Sequence, residues 1–209
     1  MRRAQFSFIV IAAFAMALAG CDRFAKTATV TADDMSMGSP TAKVTMIEYA
    51  SVACPHCARF NNEVFPTFKA QFIDTGKVHY VFREMLVGGD QEMSMAAAGF
   101  LLARCAGKDK YFSVVDTVFH DQEQIYKTGN VRDGLLKIAE SAGMSEPQFT
   151  SCISDDKSIR ALNDRVETYS KRDHINGTPT FIINGKTLDG EQSMATLTSA
   201  VNAAQASAK

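Results

Sequence analysis

The sequence predicts a mixed α/β domain in which a block of helices separates a βαβ unit from a ββα unit. Three observations support this fold class. Within residues 43–83, two short runs rich in β-forming residues flank an amphipathic helical stretch. Helical periodicity without a strand pattern then fills residues 90–173. The chain ends on two short strands joined by Asn184-Gly185, a strong hairpin signal, and a final helix.

Residues 1–20 predict a signal peptide that precedes the fold. A basic start, an apolar run over residues 6–18 and two small residues are typical of such leaders. This run of 13 residues is short for a membrane-spanning helix, which needs about 20. Leu18-Ala19-Gly20-Cys21 resembles a bacterial lipobox, so we expect Cys21 to be lipidated and to become the mature N-terminus. An ordinary signal peptidase site with an incidental cysteine is the alternative.

Charge and size indicate one exported domain. Residues 1–20 contain two arginines and no acidic residue, so their removal changes the formal charge from −1 to −3 and leaves 189 residues. This near-balance offers no basic surface for nucleic acid, and the length suits a single domain. Export places the chain in an oxidising compartment, where disulfides persist. We therefore expect a periplasmic protein.

Residues 21–42 predict a lipid-anchored tether, and residues 43–209 predict the folded domain. Residues 22–40 are rich in Ala, Thr, Ser, Asp and Met and show no periodicity. A flexible segment of ~19 residues spans roughly 25 Å. The sequence has no second apolar run that could cross a bilayer, so we expect the lipid to be the only membrane attachment.

The folded domain begins with the βαβ unit. Residues 43–50 are apolar and β-rich, as expected of a buried strand. From Cys54 to about Ile73, large apolar side chains recur at spacings of three and four and mark one face of a helix. Pro66 lies inside this pattern and should kink or break the helix. Residues 78–83 form the next strand, and a parallel pair joined through a helix crosses over right-handed.

Residues 90–173 predict several helices, and the end of the chain predicts the ββα unit. Gly143 should end one helix, and Ser145 should cap the next, with Pro147 in its first turn. Strands at 180–183 and 186–188 flank the hairpin turn, and residues 193–206 form the last helix. The βαβ and ββα units make a thioredoxin-like core, with a helical domain inserted between them.

Cys54-Pro55-His56-Cys57 lies where the first strand gives way to the helix, and it is the motif that predicts chemistry. A thiolate at a helix N-terminus faces unpaired backbone N–H groups and the positive end of the helix dipole, which lower its pKa. Pro55 fits the first turn, where its missing N–H costs nothing. His56 adds a donor or a positive charge beside Cys54. The motif therefore predicts a redox pair in which Cys54 is attacked and Cys57 is the resolving partner.

Half of a zinc site, or a structural bridge, is the alternative for this pair. Zinc usually needs a second close pair of ligands, and Cys105 and Cys152 lie far apart in the sequence. The remaining histidines are scattered. We therefore expect an enzyme that performs thiol–disulfide exchange with no metal and no cofactor. A metal-handling module that uses the cysteine pair as ligands is a less favoured function.

From about Val44 to its C-terminus the chain resembles the DsbA family of bacterial disulfide oxidoreductases. Three features carry the resemblance: the redox tetrapeptide, the segment Gly177-Thr178-Pro179-Thr180-Phe181, and Glu48, six residues before the first cysteine. The resemblance implies that the peptide bond before Pro179 is cis. It also implies that Glu48 handles protons beneath the active site; a half-exposed strand residue is the alternative for Glu48.

The resemblance further implies a reaction and its partners. We expect the enzyme to introduce disulfides into exported client proteins with free thiols, and a quinone-linked membrane oxidase of the DsbB type to re-oxidise it. Thr178 departs from the strongly oxidising members, which carry valine there, and threonine also occurs in reducing and isomerising relatives. A disulfide isomerase or reductase is therefore the alternative function. Such isomerases usually dimerise through an added N-terminal domain, but only about twenty polar residues separate Cys21 from the first strand, so we expect a monomer.

Cys105 and Cys152 predict a second, structural disulfide. Without Cys21 four cysteines remain, an even number. Each of the two lies on an apolar helical face, a pattern that two buried free thiols would also show. Some relatives in the family carry an extra bridge, which favours the disulfide. Closing a loop of ~47 residues removes unfolded-state entropy worth roughly 4 kcal/mol.

Overall fold

A five-stranded sheet in the order β1-β3-β2-β4-β5 forms the centre of the protein. The computed structural model describes residues 28–208. The strands are β1 Met35–Met37, β2 Val44–Ala50, β3 Val78–Glu84, β4 Thr180–Ile183 and β5 Lys186–Asp189. β2 and β3 run parallel, whereas the other neighbouring pairs are antiparallel.

The helices follow the order that the sequence predicts. They are α1 Pro55–Glu63, α2 Phe65–Phe68 with a π-helical turn Lys69–Ile73, α3 Asp90–Cys105, α4 Lys108–Thr128, α5 Val131–Ser141, α6 Glu146–Ser154, α7 Asp156–Asp173 and α8 Met194–Ser207. Helices α3 to α7 make up the block between β3 and β4. The predicted thioredoxin-like fold with an inserted helical domain is therefore confirmed.

The two central strands separate two hydrophobic cores. Successive side chains of a strand point to opposite faces of the sheet. Met46 and Phe82 belong to the larger core, whereas Ile47 and Val81 belong to the smaller one, together with Tyr169 of α7. Every residue of β3 is buried, and so are all but one of β2. Strands covered on both faces fix the carboxyl end of β2, which the cysteine motif follows.

The first helix is interrupted in the region where the proline predicts a break. α1 ends at Glu63, Val64 separates it from α2, and Pro66 lies in the first turn of α2. The proline lacks the N–H that a continuous helix would pair with the carbonyl of Asn62. The π-helical turn then leads the chain towards β3.

Two local signals in the second half of the chain appear in the structure as expected. Ser145 precedes α6, and its backbone N–H donates to Oε1 of Gln148 at 2.8 Å. Asn184 and Gly185 connect β4 to β5 with φ values of 44° and 88°. Positive φ at both central residues is the conformation of a tight hairpin turn, and Asn-Gly adopts it most readily.

The predicted tether extends too far into the chain, because residues 28–42 include part of the fold. Met35–Met37 form the edge strand β1, which pairs antiparallel with β3. Asp34 is buried, and its carboxylate accepts hydrogen bonds from Nε and Nη2 of Arg83, both at 2.9 Å. A strand of three residues is too short to show periodicity, and its partner β3 lies far along the chain. Composition alone therefore indicated a tether where the structure has a strand.

The predicted signal peptide and Cys21 lie outside the described residues, as do residues 22–27. Between residues 28 and 208, no helix is long and apolar enough to cross a membrane. The predicted leader and lipid anchor therefore remain predictions.

Candidate redox site

Cys54 lies at the N-terminus of α1, directly after the loop that leaves β2. It is the N-cap residue, with φ −85° and ψ 122°, and Pro55 is the first helical residue. An N-cap side chain lies beside the unpaired N–H groups of the first helical turn. Cys54 is half-buried, Cys57 is fully buried, and both are free thiols. Of the two sulfurs, that of Cys54 is the one open to a partner protein.

The surroundings of the two sulfurs separate their pKa values. A hydrogen bond from the Cys57 thiol contributes most to lowering the pKa of Cys54 to about 5, and partial burial works against it. The Thr178 hydroxyl and the backbone N–H groups of Cys57 and His56 lower this pKa further. Burial raises the pKa of Cys57 far above its ordinary value. At neutral pH the reduced site therefore holds a Cys54 thiolate beside a Cys57 thiol.

The loop before β4 faces the cysteine pair. The Thr178–Pro179 peptide bond is cis, and the Cys54 thiol donates to the carbonyl oxygen of Thr178 at 3.5 Å. In this thiol state the Thr178 hydroxyl makes no hydrogen bond, and within residues 28–208 it is the only buried side-chain nitrogen or oxygen without a partner. The hydroxyl is thus left as a donor for the Cys54 thiolate.

Glu48 lies on β2 and is 2% exposed, which excludes the half-exposed alternative. Its carboxylate accepts a hydrogen bond from Oη of Tyr80 at 2.7 Å. Burial raises the pKa of Glu48 to about 8. Negative charge on Glu48 in turn raises the pKa of Cys57, so the two groups interact electrostatically.

His56 is exposed and contacts a residue that the sequence analysis missed. Its Nδ1 lies 3.3 Å from Oε2 of Glu191, in the segment between β5 and α8. The same carboxylate oxygen accepts a hydrogen bond from Nη1 of Arg59 at 3.1 Å. Glu191 is 135 residues from His56, and no sequence spacing relates the two.

Two residues of α4 hold the loop that carries Cys54, and the sequence analysis missed both. Gln122 donates through Nε2 to the carbonyl oxygens of Val52 at 2.7 Å and Cys54 at 3.2 Å. Tyr126 donates through Oη to the carbonyl oxygen of Ala53 at 3.1 Å. A spacing of four places both side chains on one helix face. The helical insertion therefore fixes the position of the redox loop.

The second cysteine pair is joined in the structure. Cys105 at the end of α3 and Cys152 in α6 form a disulfide with a Cα–Cα separation of 6.0 Å, within the range that disulfides require. Cys105 is exposed and Cys152 is half-buried, so the bridge lies at the surface. The apolar helical faces on which the sequence places the two cysteines had indicated a more buried position.

In the part of the chain from 28 to 208, no group of three or more His, Cys, Asp or Glu residues could hold a metal ion.

The cysteine pair and the loop that faces it have an arrangement known from other proteins. A Cys-x-x-Cys pair at the start of the helix after a central strand, facing a cis-proline loop, is the arrangement of the thioredoxin-fold thiol–disulfide oxidoreductases. The family described as Thioredoxin matches residues 30–203. The chain therefore belongs to this thioredoxin family.

Curated relatives share this part of the chain. The "Putative protein-disulfide oxidoreductase" of Rickettsia bellii is 31% identical over 163 residues, which are 78% of this chain and 61% of the relative. A protein of the same description from Rickettsia conorii is 32% identical over 173 residues, which cover 82% and 60%. The chain thus spans about 60% of the length of these relatives.

Solved structures show the same architecture. The crystal structure of Wolbachia pipientis alpha-DsbA1 has a TM-score of 0.78 and 25% identity, and the match covers 88% of this chain and 96% of that one. BdbD from Bacillus subtilis, at 20% identity, shares the fold with a TM-score of 0.68, over 82% of this chain and 92% of its own. The resemblance to the DsbA family is confirmed by these matches.

Proposed function

We propose that the protein introduces disulfides into exported client proteins by thiol–disulfide exchange. The contrast within the cysteine pair carries this proposal: Cys54 is half-exposed with a pKa lowered to about 5, whereas Cys57 is buried with a raised pKa. A stabilised Cys54 thiolate favours the reduced enzyme by about 1.4 kcal/mol for each pKa unit. The oxidised enzyme is correspondingly a stronger oxidant. The names of the Rickettsia relatives, and of the "Disulfide bond formation protein D" of Bacillus subtilis, support this function.

The reaction starts from the enzyme in which Cys54 and Cys57 are joined. A client thiolate attacks Sγ of Cys54, the bond to Cys57 breaks, and a mixed disulfide forms. The Cys57 sulfur leaves and takes up a proton, because burial raises its pKa. A second client thiolate then attacks the client sulfur and releases Cys54 as a thiolate. The client gains a disulfide, and the enzyme gains the two electrons.

The remaining site residues tune these steps. Glu48 is buried and its charge acts on the pKa of Cys57, so it is the group with which Cys57 exchanges a proton. Pro55 and His56 shape the first turn of α1 beside the attacked sulfur. The loop of Thr178 and Pro179 fixes the surroundings of Cys54 from the opposite side.

Location and partners follow from the same function. Residues 1–20 act as a signal peptide, and Cys21 carries the lipid that attaches the protein to a membrane. The protein works in the periplasm as a monomer on clients with free thiols, and a quinone-linked membrane oxidase of the DsbB type re-oxidises it. The lipobox-like sequence supports the anchor. A Cys21→Ser variant that stayed in the membrane fraction would contradict it.

Assays on the wild type and two cysteine variants separate the candidate functions. We expect the oxidised protein to form the disulfide of a reduced peptide rapidly, and Cys54→Ser to be inactive. Cys57→Ser should accumulate mixed disulfides with clients, because the resolving sulfur is absent. Insulin reduction or reactivation of scrambled ribonuclease without peptide oxidation would overturn the proposal in favour of a reductase or isomerase.

The residue type of Thr178 favours the isomerase or reductase alternative, because reducing and isomerising relatives also carry threonine at this position, although its hydroxyl lowers the pKa of Cys54. It is buried and unpartnered beside Cys54, at the position where strongly oxidising relatives carry valine. Thr178→Val removes the hydroxyl at nearly constant shape, so the reduction potential of the variant should differ from that of the wild type. Identical potentials would show that this hydroxyl has no redox consequence.

A further inference from the structure

We propose that Tyr80 carries the proton of Cys57 between Glu48 and a cavity that opens on the surface beside α4. This inference rests on the proposed function, because thiol–disulfide exchange moves a proton at the buried sulfur in each half-reaction. In client oxidation, the Cys57 sulfur leaves and gains a proton. In re-oxidation, the Cys57 thiol loses a proton before it attacks.

A proton on Glu48 has one hydrogen-bonded route away from the cysteines. Glu48 is 2% exposed, and among the described residues Tyr80 provides its only hydrogen bond, at 2.7 Å. The Tyr80 ring is itself buried and packs against Phe65, with ring centroids 4.9 Å apart. Bulk water can therefore reach the Tyr80 hydroxyl only through a cavity. Glu48 exchanges protons with that water through the hydroxyl.

Tyr80 lies on the wall of such a cavity, which has a volume of about 330 Å³. The walls come from α1, α2 and α4 as well as the sheet, and exposed residues at Pro66, Ser113 and Asp116 open it to the surface. One water occupies about 30 Å³ in the liquid and needs polar partners. Asp116 supplies such a partner at the opening, where it accepts a hydrogen bond from Asn61 at 2.9 Å.

The titratable groups around Tyr80 keep its hydroxyl neutral. Burial raises the pKa of Tyr80 well above its ordinary value, and Glu48 on β2 raises it further. Tyr111 of α4 and Cys57 of α1 act in the same direction. Lys69 and Asp116 are the charged residues that line the cavity. A neutral hydroxyl passes a proton by accepting one on its oxygen while it releases its own.

In re-oxidation the proton moves outwards from Cys57. With Cys54 in a mixed disulfide, the Cys57 thiol gives its proton to the Glu48 carboxylate. The Cys57 thiolate attacks Sγ of Cys54, and the bond from Cys54 to the leaving sulfur breaks. Glu48 then passes the proton to the Tyr80 oxygen, while the Tyr80 hydroxyl proton goes to water in the cavity. In client oxidation the proton moves in the opposite direction, from water in the cavity through Tyr80 and Glu48 to the Cys57 sulfur.

Tyr80→Phe tests this relay, because it removes the hydroxyl and keeps the ring. Tyr111→Phe is the matched control: its hydroxyl is equally buried and donates to Oε1 of Glu84 at 3.0 Å, without a bond to Glu48. The measurement is rapid acid quenching of the reduced protein mixed with glutathione disulfide, followed by mass spectrometry. The decay of the Cys54–glutathione adduct gives the rate of Cys57 attack across pH.

We expect Tyr80→Phe to slow this decay at least about tenfold, as loss of a general acid–base group does. The pKa of Cys54 should stay unchanged, and Tyr111→Phe should remain within about twofold of the wild type. Equal slowing in both tyrosine variants would overturn the relay. So would a Tyr80→Phe rate that rejoins the wild type above about pH 9, because Tyr80 would then only set the Glu48 pKa.

The same experiment separates the relay from the function on which it rests. A wild-type protein that forms no glutathione adduct at Cys54 would contradict the proposed function. A wild type that reacts at the same rate as Tyr80→Phe at every pH would leave the function standing and overturn the relay alone.

Discussion

The charge on the Cys54 sulfur is set by groups from two parts of the chain, the start of α1 and Thr178. The helix start and the Cys57 thiol belong to one motif, so the sequence predicted them together. The Thr178 hydroxyl was predicted only through a family resemblance, because it lies 124 residues away. No motif or spacing in the sequence predicted that Glu191 contacts His56. The electrostatic effects of neighbouring residues at this site can thus be predicted from the sequence, whereas contacts between distant loops cannot.

The lowered pKa of Cys54 predicts how the stability of the reduced protein depends on pH. The folded state favours the thiolate, with a pKa of about 5, against about 8.5 for an unfolded cysteine. The Cys54 contribution to the free energy of unfolding should therefore rise between about pH 5 and pH 8.5, by at most about 1.4 kcal/mol per pH unit, and this gain is lost as the pH falls through 5. The raised pKa of Glu48 lowers stability over nearly the same window. Urea unfolding of the reduced and oxidised proteins, compared as a difference, measures the Cys54 contribution.

The oxidised protein is the reference for this measurement, because it retains Glu48 but has no thiol to titrate at the site. The difference in unfolding free energy between the reduced and oxidised forms should grow with pH in this window. Reduced Cys54→Ser should lack the rise. A difference that stays constant from about pH 5 to 8 would show that the Cys54 pKa is ordinary.

Among the elements, α4 links the helical insertion to the redox loop. Its helical pattern was predicted, but the roles of Gln122 and Tyr126 were not, since polar residues in a helix usually indicate a solvated face. The structure buries Gln122 against two backbone carbonyls. β1 was not predicted for a related reason. Its three residues form a strand only because they pair with β3, which is distant in the sequence.

Gln122→Leu should destabilise the protein through this contact. It leaves the carbonyl oxygens of Val52 and Cys54 without their side-chain donor, which costs about 1–3 kcal/mol. Gln124→Leu on the exposed face of α4 is the matched control and should change stability by less than about 0.5 kcal/mol. Chemical unfolding of the two oxidised variants compares them. Equal stability of the two variants would show that the hydrogen bonds of Gln122 to the loop do not stabilise the protein.

The bridge between α3 and α6 should contribute to stability and not to redox chemistry. A double Cys105→Ala, Cys152→Ala variant lacks the covalent link between two positions that are 47 residues apart, so its unfolded chain is less restricted. We expect the free energy of unfolding to fall by about 2–4 kcal/mol, with an unchanged rate of peptide oxidation. Because Cys105 is exposed, its replacement leaves no core cavity. A variant as stable as the wild type, or one without oxidase activity, would refute this assignment.

Across the whole molecule, a buried charge network joins segments that lie far apart in sequence. Arg83 on β3 is fully buried and donates to Asp34 before β1 and to Asp173 at the end of α7, at 2.9 Å in each case. Tyr49 donates to the same Asp173 at 2.6 Å. The sequence predicted the layers of the fold from periodicity and the site from one motif. It could not predict this network, because charged residues normally indicate surface.

The equilibrium of the Cys54–Cys57 pair with glutathione tests the proposed oxidase function directly, because it measures how strongly the site favours its reduced form. A thiolate stabilised as the structure indicates predicts a reduction potential nearer to the about −120 mV of DsbA than to the about −270 mV of thioredoxin. A potential at or below about −230 mV, as in glutaredoxins and thioredoxin, would contradict the proposed oxidase function, because the Cys54 thiolate would then not be stabilised enough to make the disulfide a strong oxidant.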